Sequence, residues 1–125
     1  MPPKPSSTLT GAELRLMKLL WSRGESSVAD LQAALPEDEG LAYTSVLTTV
    51  RILEAKGYLK HRKKGRAFLY TAVVPETEAS GTALRQTLAR FFNNSREQLL
   101  LSMLGDAEIS SSELLELKKR IAEAE

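Results

Sequence analysis

The chain has 125 residues, 42% of them hydrophobic and 26% charged, with a net charge of +1 and no cysteine. That is enough for one domain, or for a small domain with an appendage. The lack of thiols excludes disulfides and thiolate metal sites, and no apolar run nears the ~18 residues of a membrane span, so a cytoplasmic protein without stable membrane association is expected.

Residues 1–8 are rich in proline and serine and lack an apolar segment, which predicts a flexible arm rather than a signal peptide. Thr10 and Glu13 have the spacing of a capping box and open a first helix. Leu14, Met17, Leu20 and Trp21 line one face of it, Leu16 and Leu19 widen the stripe, and Trp21 is the expected core anchor. After Arg23-Gly24-Glu25, Ser27 with Asp30 starts a short second helix that buries Val28, Leu31 and Leu35. Pro36 to Gly40 is an acidic turn.

A third helix is expected from about Tyr43 to Lys56, with Val46, Val50 and Leu53 at i, i+4, i+7 facing a core. Its other face carries Thr44, Ser45, Thr48 and Arg51, and Gly57 stops it where a left-handed residue costs little. Two strand-like runs follow, Tyr58 to Arg62 and Ala67 to Val73, joined through Lys63-Lys64-Gly65-Arg66. Three helices and then a hairpin is the order of a winged helix-turn-helix. The expected fold class is therefore mostly α with a small β-hairpin wing, the winged-helix domain covering residues 9–74.

Residues 75–125 read as a helical tail. A helix over 76–93 carries Leu84, Leu88, Phe91 and Phe92, Asn93-Asn94 breaks it, and Ser95 caps the next. Leucines crowd there (Leu100, Leu101, Leu104), and Ser110 with Glu113 opens a last helix with Leu114, Leu117 and Ile121 on one side. Three short helices this apolar call for a partner surface, which two-fold dimerisation through those ten side chains is expected to supply, the alternative being a tail folded back on its own winged helix.

The net charge hides a strong asymmetry. Residues 51–66 hold seven cations (Arg51, Lys56, Lys60, Arg62, Lys63, Lys64 and Arg66) against the single anion Glu54, a net +6, while the flanking segments are both net negative. Such a patch is an electrostatic footprint for a polyanion. The hydroxyls of Thr44, Ser45 and Thr48 can reach phosphates or base edges, Tyr43 opens the same helix, Leu47 and the threonine methyls can meet thymine methyls, and Arg51 can reach a guanine edge or a phosphate. Arg62, Lys63, Lys64 and Arg66 are expected on backbone phosphates. Catalysis finds no support: His61 is the only histidine and lies in a run of cations, and no nucleophile motif or phosphate-cradling glycine loop is present. No metal or cofactor is expected. The reading from another class is a winged-helix interaction module whose basic hairpin meets an acidic protein.

The runs Leu9-Thr-Gly-Ala-Glu-Leu, Met17, Leu20-Trp21, Tyr43-Thr-Ser-Val-Leu-Thr, Leu53-Glu-Ala-Lys-Gly-Tyr-Leu and Arg62-Lys-Lys-Gly-Arg-Ala-Phe-Leu-Tyr resemble the BlaI/MecI/CopY family of penicillinase repressors, from about Leu9 to Ile121. The resemblance implies a homodimeric repressor on an inverted repeat of TACA/TGTA-like half-sites, the third helix in the major groove and the tails intertwined. It further implies control of β-lactam resistance genes, relieved when a membrane sensor protease triggers cutting in the dimerisation region. Two departures stand out. The copper-responsive branch carries a C-terminal cysteine cluster that this chain lacks. The β-lactam branch is cut at an Asn-Phe bond, and here the corresponding pair is Ser102-Met103.

Overall fold

The computed structural model of the chain describes residues 8–105 and 110–124; apart from Thr8, the expected N-terminal arm lies outside them. Six α-helices and two strands follow in the order α1 (Gly11–Arg23), α2 (Val28–Ala34), α3 (Tyr43–Ala55), β1 (Leu59–Lys64), β2 (Ala67–Ala72), α4 (Glu76–Phe92), α5 (Arg96–Leu104) and α6 (Ser111–Ala124). The chain divides into two compact units, Met1–Ala83 and Leu84–Glu125. No helix among the described residues is long and apolar enough to cross a membrane.

The first unit is a winged helix built on cap chemistry legible in the sequence. Thr10 Oγ1 accepts from the Glu13 N–H, and Glu13 returns the bond to the Thr10 N–H. Ser27 and Asp30 repeat the arrangement at α2. The core gathers Leu16, Met17 and Leu20 of α1, Val28 and Leu31 of α2, Val46, Val50 and Leu53 of α3, and Tyr58, Leu59 and Tyr70 of the hairpin region. The buried side of α1 differs from the expected stripe: Glu13 joins Leu16, Met17 and Leu20 inside, Leu14 is exposed, and Trp21 is only half-buried. A carboxylate can turn inward here because its oxygens are satisfied. Glu13 accepts from Thr10 and from Lys56 Nζ at 2.8 Å. Trp21 packs on the edge of the core and donates its indole N–H to Val74 O at 2.8 Å.

Gly57, at φ 92°, turns the chain out of α3 into the wing. The wing is longer than the hydrophobic pattern indicates. Lys63 pairs with Phe68 and Lys64 with Ala67, so both lysines belong to β1 and the turn is only Gly65-Arg66. Gly65 at φ 62° occupies the first central position of that two-residue turn, where a side chain would be strained. A third extended piece had no signal in the sequence: Ser26 exchanges two backbone hydrogen bonds with Tyr70, at 3.0 and 2.8 Å. Strand β2 is thus paired on both sides, with His61 across from Tyr70 on one and Ser26 on the other.

In the second unit α4 ends at Asn93 and Asn94, both left-handed (φ 48° and 64°), and the Asn94 N–H closes back on Leu88 O at 2.9 Å. Ser95 then caps α5 by accepting from the Gln98 N–H, and Ser110 caps α6 by accepting from Glu113. Leu88 is buried, whereas Leu84, Phe91, Leu100, Leu101, Leu104, Leu117 and Ile121 are exposed.

Candidate nucleic-acid interface

The exposed side of α3 presents two adjacent stripes. Tyr43, Leu47 and Arg51 lie at i, i+4, i+8, and Thr44 and Thr48 lie beside them with Ser45. All but Leu47, which is half-buried, are exposed. The helix uses some of its own hydroxyls: Thr48 Oγ1 donates to Thr44 O at 2.8 Å, and Thr49 Oγ1 to Ser45 O at 2.9 Å. The Thr48 hydroxyl therefore keeps its lone pairs free to accept, and its methyl is available for apolar contact.

The alternation of the hairpin splits the cationic block between two faces. His61 and Lys63 share one with Phe68 and Tyr70, while Lys60, Arg62 and Lys64 share the other with Thr71. His61 lies 4.9 Å from the Phe68 ring and 5.5 Å from the Tyr70 ring. Its Nδ1 sits 2.5 Å from Glu54 Oε2, so α3 and β1 are linked through a carboxylate as well as through the core. The expected run of cations around His61 thus includes an anion from α3 in direct contact.

Arg62 is not a free wing cation. Its Nε and Nη2 donate to Glu25 Oε2 and Oε1 at 2.6 and 2.7 Å, a two-pronged pair reaching from the wing to the α1–α2 turn. Those bonds from Arg62 hold the Glu25 carboxyl below its usual range. Among the described residues, no carboxylate lies within ion-pair distance of Arg51, Lys60, Lys63, Lys64 or Arg66. The unneutralised charge is therefore Arg51 on the helix, Arg66 at the tip, and three lysines along β1. Lys56, the seventh cation of the patch, is turned away to Glu13.

Between α3 and the wing lies a cleft of about 470 Å³. Val28 lines it from α2, Tyr43, Leu47 and Arg51 from α3, and Arg66 and Phe68 from the wing. Phe68 and Tyr43 are large hydrophobic side chains left substantially exposed. Of the residues expected to meet nucleic acid, the fold thus brings Tyr43, Leu47, Arg51 and Arg66 together around one cleft. Phe68 and Glu25 were missed by the charge pattern; the cue for Phe68 was a large aromatic at an outward position of a short strand, and Glu25, in a turn, left none.

These features have counterparts in known proteins. The model of the penicillinase repressor family matches residues 9–123. The penicillinase repressor of Bacillus licheniformis is 27% identical over 115 residues, covering 92% of this chain and 90% of that one. The solution structure of the DNA-binding domain of the repressor BlaI superposes with a TM-score of 0.53 at 28% identity, covering 62% of this chain and 93% of that domain. The B. licheniformis BlaI monomer, determined in complex with the blaP half-operator, superposes at 0.50, with the same identity, over 61% of this chain and 93% of its own. With a family match that spans both units, the chain belongs to the penicillinase repressor family.

Proposed function

We propose that this winged-helix repressor acts as a homodimer on an inverted-repeat operator in the cytoplasm. In this reading α3 enters the major groove, Thr44, Ser45, Leu47, Thr48 and Arg51 meet base edges and nearby phosphates, and Lys63, Lys64 and Arg66 grip the backbone. The observation that carries it is the set of unneutralised cations on the wing next to the hydroxyl-bearing, exposed stripe of α3. The determination of a similar BlaI monomer with a half-operator supports the same mode of docking here.

Exposed Leu84, Phe91, Leu100, Leu101, Leu104, Leu117 and Ile121, with Leu88, Phe92 and Leu114, form the surface that a second copy would cover. Two α3 helices held one DNA turn apart, ~34 Å, then read two half-sites of the TACA/TGTA type. Genes for β-lactam resistance are the regulated set. Relief comes from cutting at Ser102-Met103, two exposed residues of α5, in response to a membrane sensor protease.

A gel-shift at two salt concentrations tests the reading, with a TACA/TGTA inverted repeat and a scrambled duplex as probes. Arg51→Ala is expected to weaken binding to the repeat more than to the scrambled duplex, and Lys64→Ala to weaken both alike. Equal losses for both variants would remove α3 as the reading element. No retardation even at low salt would move the basic hairpin to an acidic protein partner.

A further inference from the structure

The lining of the cleft between α3 and the wing favours an anion. Arg51 and Arg66 reach it and no carboxylate does, and among the described residues neither arginine has a carboxylate within ion-pair distance. The rest of the lining is of two kinds. Val28, Leu47 and Phe68 give apolar walls, and Ser27, Tyr43 and Tyr70 bring hydroxyls. At about 470 Å³ the space falls within the ~300–1,000 Å³ of small-molecule sites, which pair such walls with a few placed polar groups.

Contact with DNA does not account for the floor of this cleft. A duplex touches what stands out from the surface, and Tyr43, Arg51, Arg66 and Phe68 are exposed. Val28 and Tyr70 are only 5% and 2% exposed. A phosphate or a base edge on the rim leaves them untouched, whereas a small molecule entering the cleft reaches them.

Tyr70 is the sharper observation. Its hydroxyl makes no hydrogen bond to the described residues, and no buried side-chain nitrogen or oxygen among them lacks a partner. That hydroxyl therefore meets solvent, which the cleft lined by Tyr70 provides. Burial pushes the phenol above its ordinary value, so it stays protonated and able to donate, and Arg51 is close enough to act on it electrostatically. Ser27 Oγ accepts from the Asp30 N–H and keeps its own proton to donate. Phe68 is braced from behind by His61, which Glu54 holds from α3, so the aromatic wall is fixed.

We propose that the cleft is an effector site for a planar aromatic carboxylate, its ring against Leu47, Val28 and Phe68 and its anionic end on Arg51, Arg66 and the Tyr70 hydroxyl. Arg51 and Arg66 are also cations that the proposed function gives to DNA, so acid and duplex exclude one another. The acid is thus an inducer that acts without any cutting of the chain. The inference rests on the DNA-binding reading above and adds to it the regulation of that site.

The test uses the full chain, naphthoate as the acid, and naphthol and inorganic phosphate as controls that lack the charge or the ring. Calorimetry without DNA is expected to show one site per chain for naphthoate. Fluorescence anisotropy at constant ionic strength is expected to show naphthoate releasing a labelled TACA/TGTA duplex, whose apparent affinity falls in step with acid concentration over its Kd. Tyr70→Phe is expected to weaken the acid about three- to tenfold while leaving duplex affinity and circular dichroism unchanged. Phe68→Ala, which removes the aromatic wall, is expected to weaken the acid as well. No binding of naphthoate, equal effects of naphthol or phosphate, binding that neither substitution weakens, or binding that leaves the duplex in place each overturns the inference. Failure of the unaltered chain to hold the duplex without acid overturns the DNA-binding reading instead, and calorimetry on the chain alone then still decides whether the cleft takes the acid.

Discussion

Lys56 and Glu13, forty-three residues apart, meet at 2.8 Å between the C-terminal end of α3 and the first turn of α1. The Glu13 side chain is 5% exposed and that of Lys56 23% exposed, so the pair is largely out of water. It ties α3 to the capping box that starts the domain. One carboxylate both ends the sequence signal for α1 and anchors α3.

Breaking the pair from the lysine side leaves the buried carboxylate short of a partner, and Lys56→Met is expected to cost roughly 1–3 kcal/mol, below the full range for wholly buried pairs. Urea unfolding followed by circular dichroism measures it. The pH dependence has a definite sign. Burial alone would raise the Glu13 pKa, but the bonds from Lys56 and Thr10 outweigh it, and the carboxyl lies below its ordinary value. A depressed carboxylate stabilises the fold above its unfolded value and loses that contribution as pH falls through the folded one. The unaltered domain is therefore expected to lose stability through the acid range, and Glu13→Gln to flatten that dependence while being less stable at neutral pH.

Glu25 holds the Arg62 guanidinium with two hydrogen bonds, and on the proposed docking it would compete with DNA for that cation. Glu25→Gln removes the charge that holds the guanidinium, which frees Arg62 for a phosphate. The expected result is tighter binding to any duplex at low salt, and a steeper dependence of affinity on salt by about one further cation. A titration series across salt concentrations reads the slope; an unchanged slope would mean that Arg62 stays clear of the backbone in either form.

Trp21 offers a cleaner measure of a single hydrogen bond. Trp21→Phe keeps a large ring at the core edge but loses the donor to Val74 O, and is expected to cost about 1 kcal/mol. Because Trp21 is the only tryptophan, circular dichroism rather than fluorescence follows the unfolding.

The tail prediction is about assembly. Leu101→Glu and Leu104→Glu, both at exposed positions of α5, are expected to leave the winged helix folded and to shift sedimentation from dimer to monomer. Truncation after Ala83 is expected to do the same while sparing Ala79, which packs against the first unit's core. Dimers persisting in all three variants would refute pairing through this surface.

Much of the winged helix was legible because its signals are local. Caps at Thr10 and Ser27, the Val46-Val50-Leu53 stripe and the glycine at 57 each depend on neighbours within about two helical turns. What was not legible depends on distant partners. Leucines spread around α1 left several faces open, and the choice fell to Glu13, whose partner lies in α3. The length of the wing was hidden because Lys63 and Lys64 look like a turn by composition, while pairing with Phe68 and Ala67 makes them strand. The same reason separates the cations: charge counting treats Arg62 and Lys64 alike, and only the fold brings Glu25 to one of them. The cleft needs α2, α3 and the wing together, so no single segment could announce it.

The Ser26–Tyr70 bridge gives the wing a fixed root and a free end. At the root β2 is held from both sides, so inserting one residue there would slip the register and turn every side chain beyond it to the opposite face. At the tip, a side chain added at Gly65 would meet open space but would be strained by the left-handed backbone, and Arg66 lines the cleft beside α3. Length gained or lost at the tip would change how far the hairpin reaches and would carry Arg66 with it, while the register at the root stays fixed.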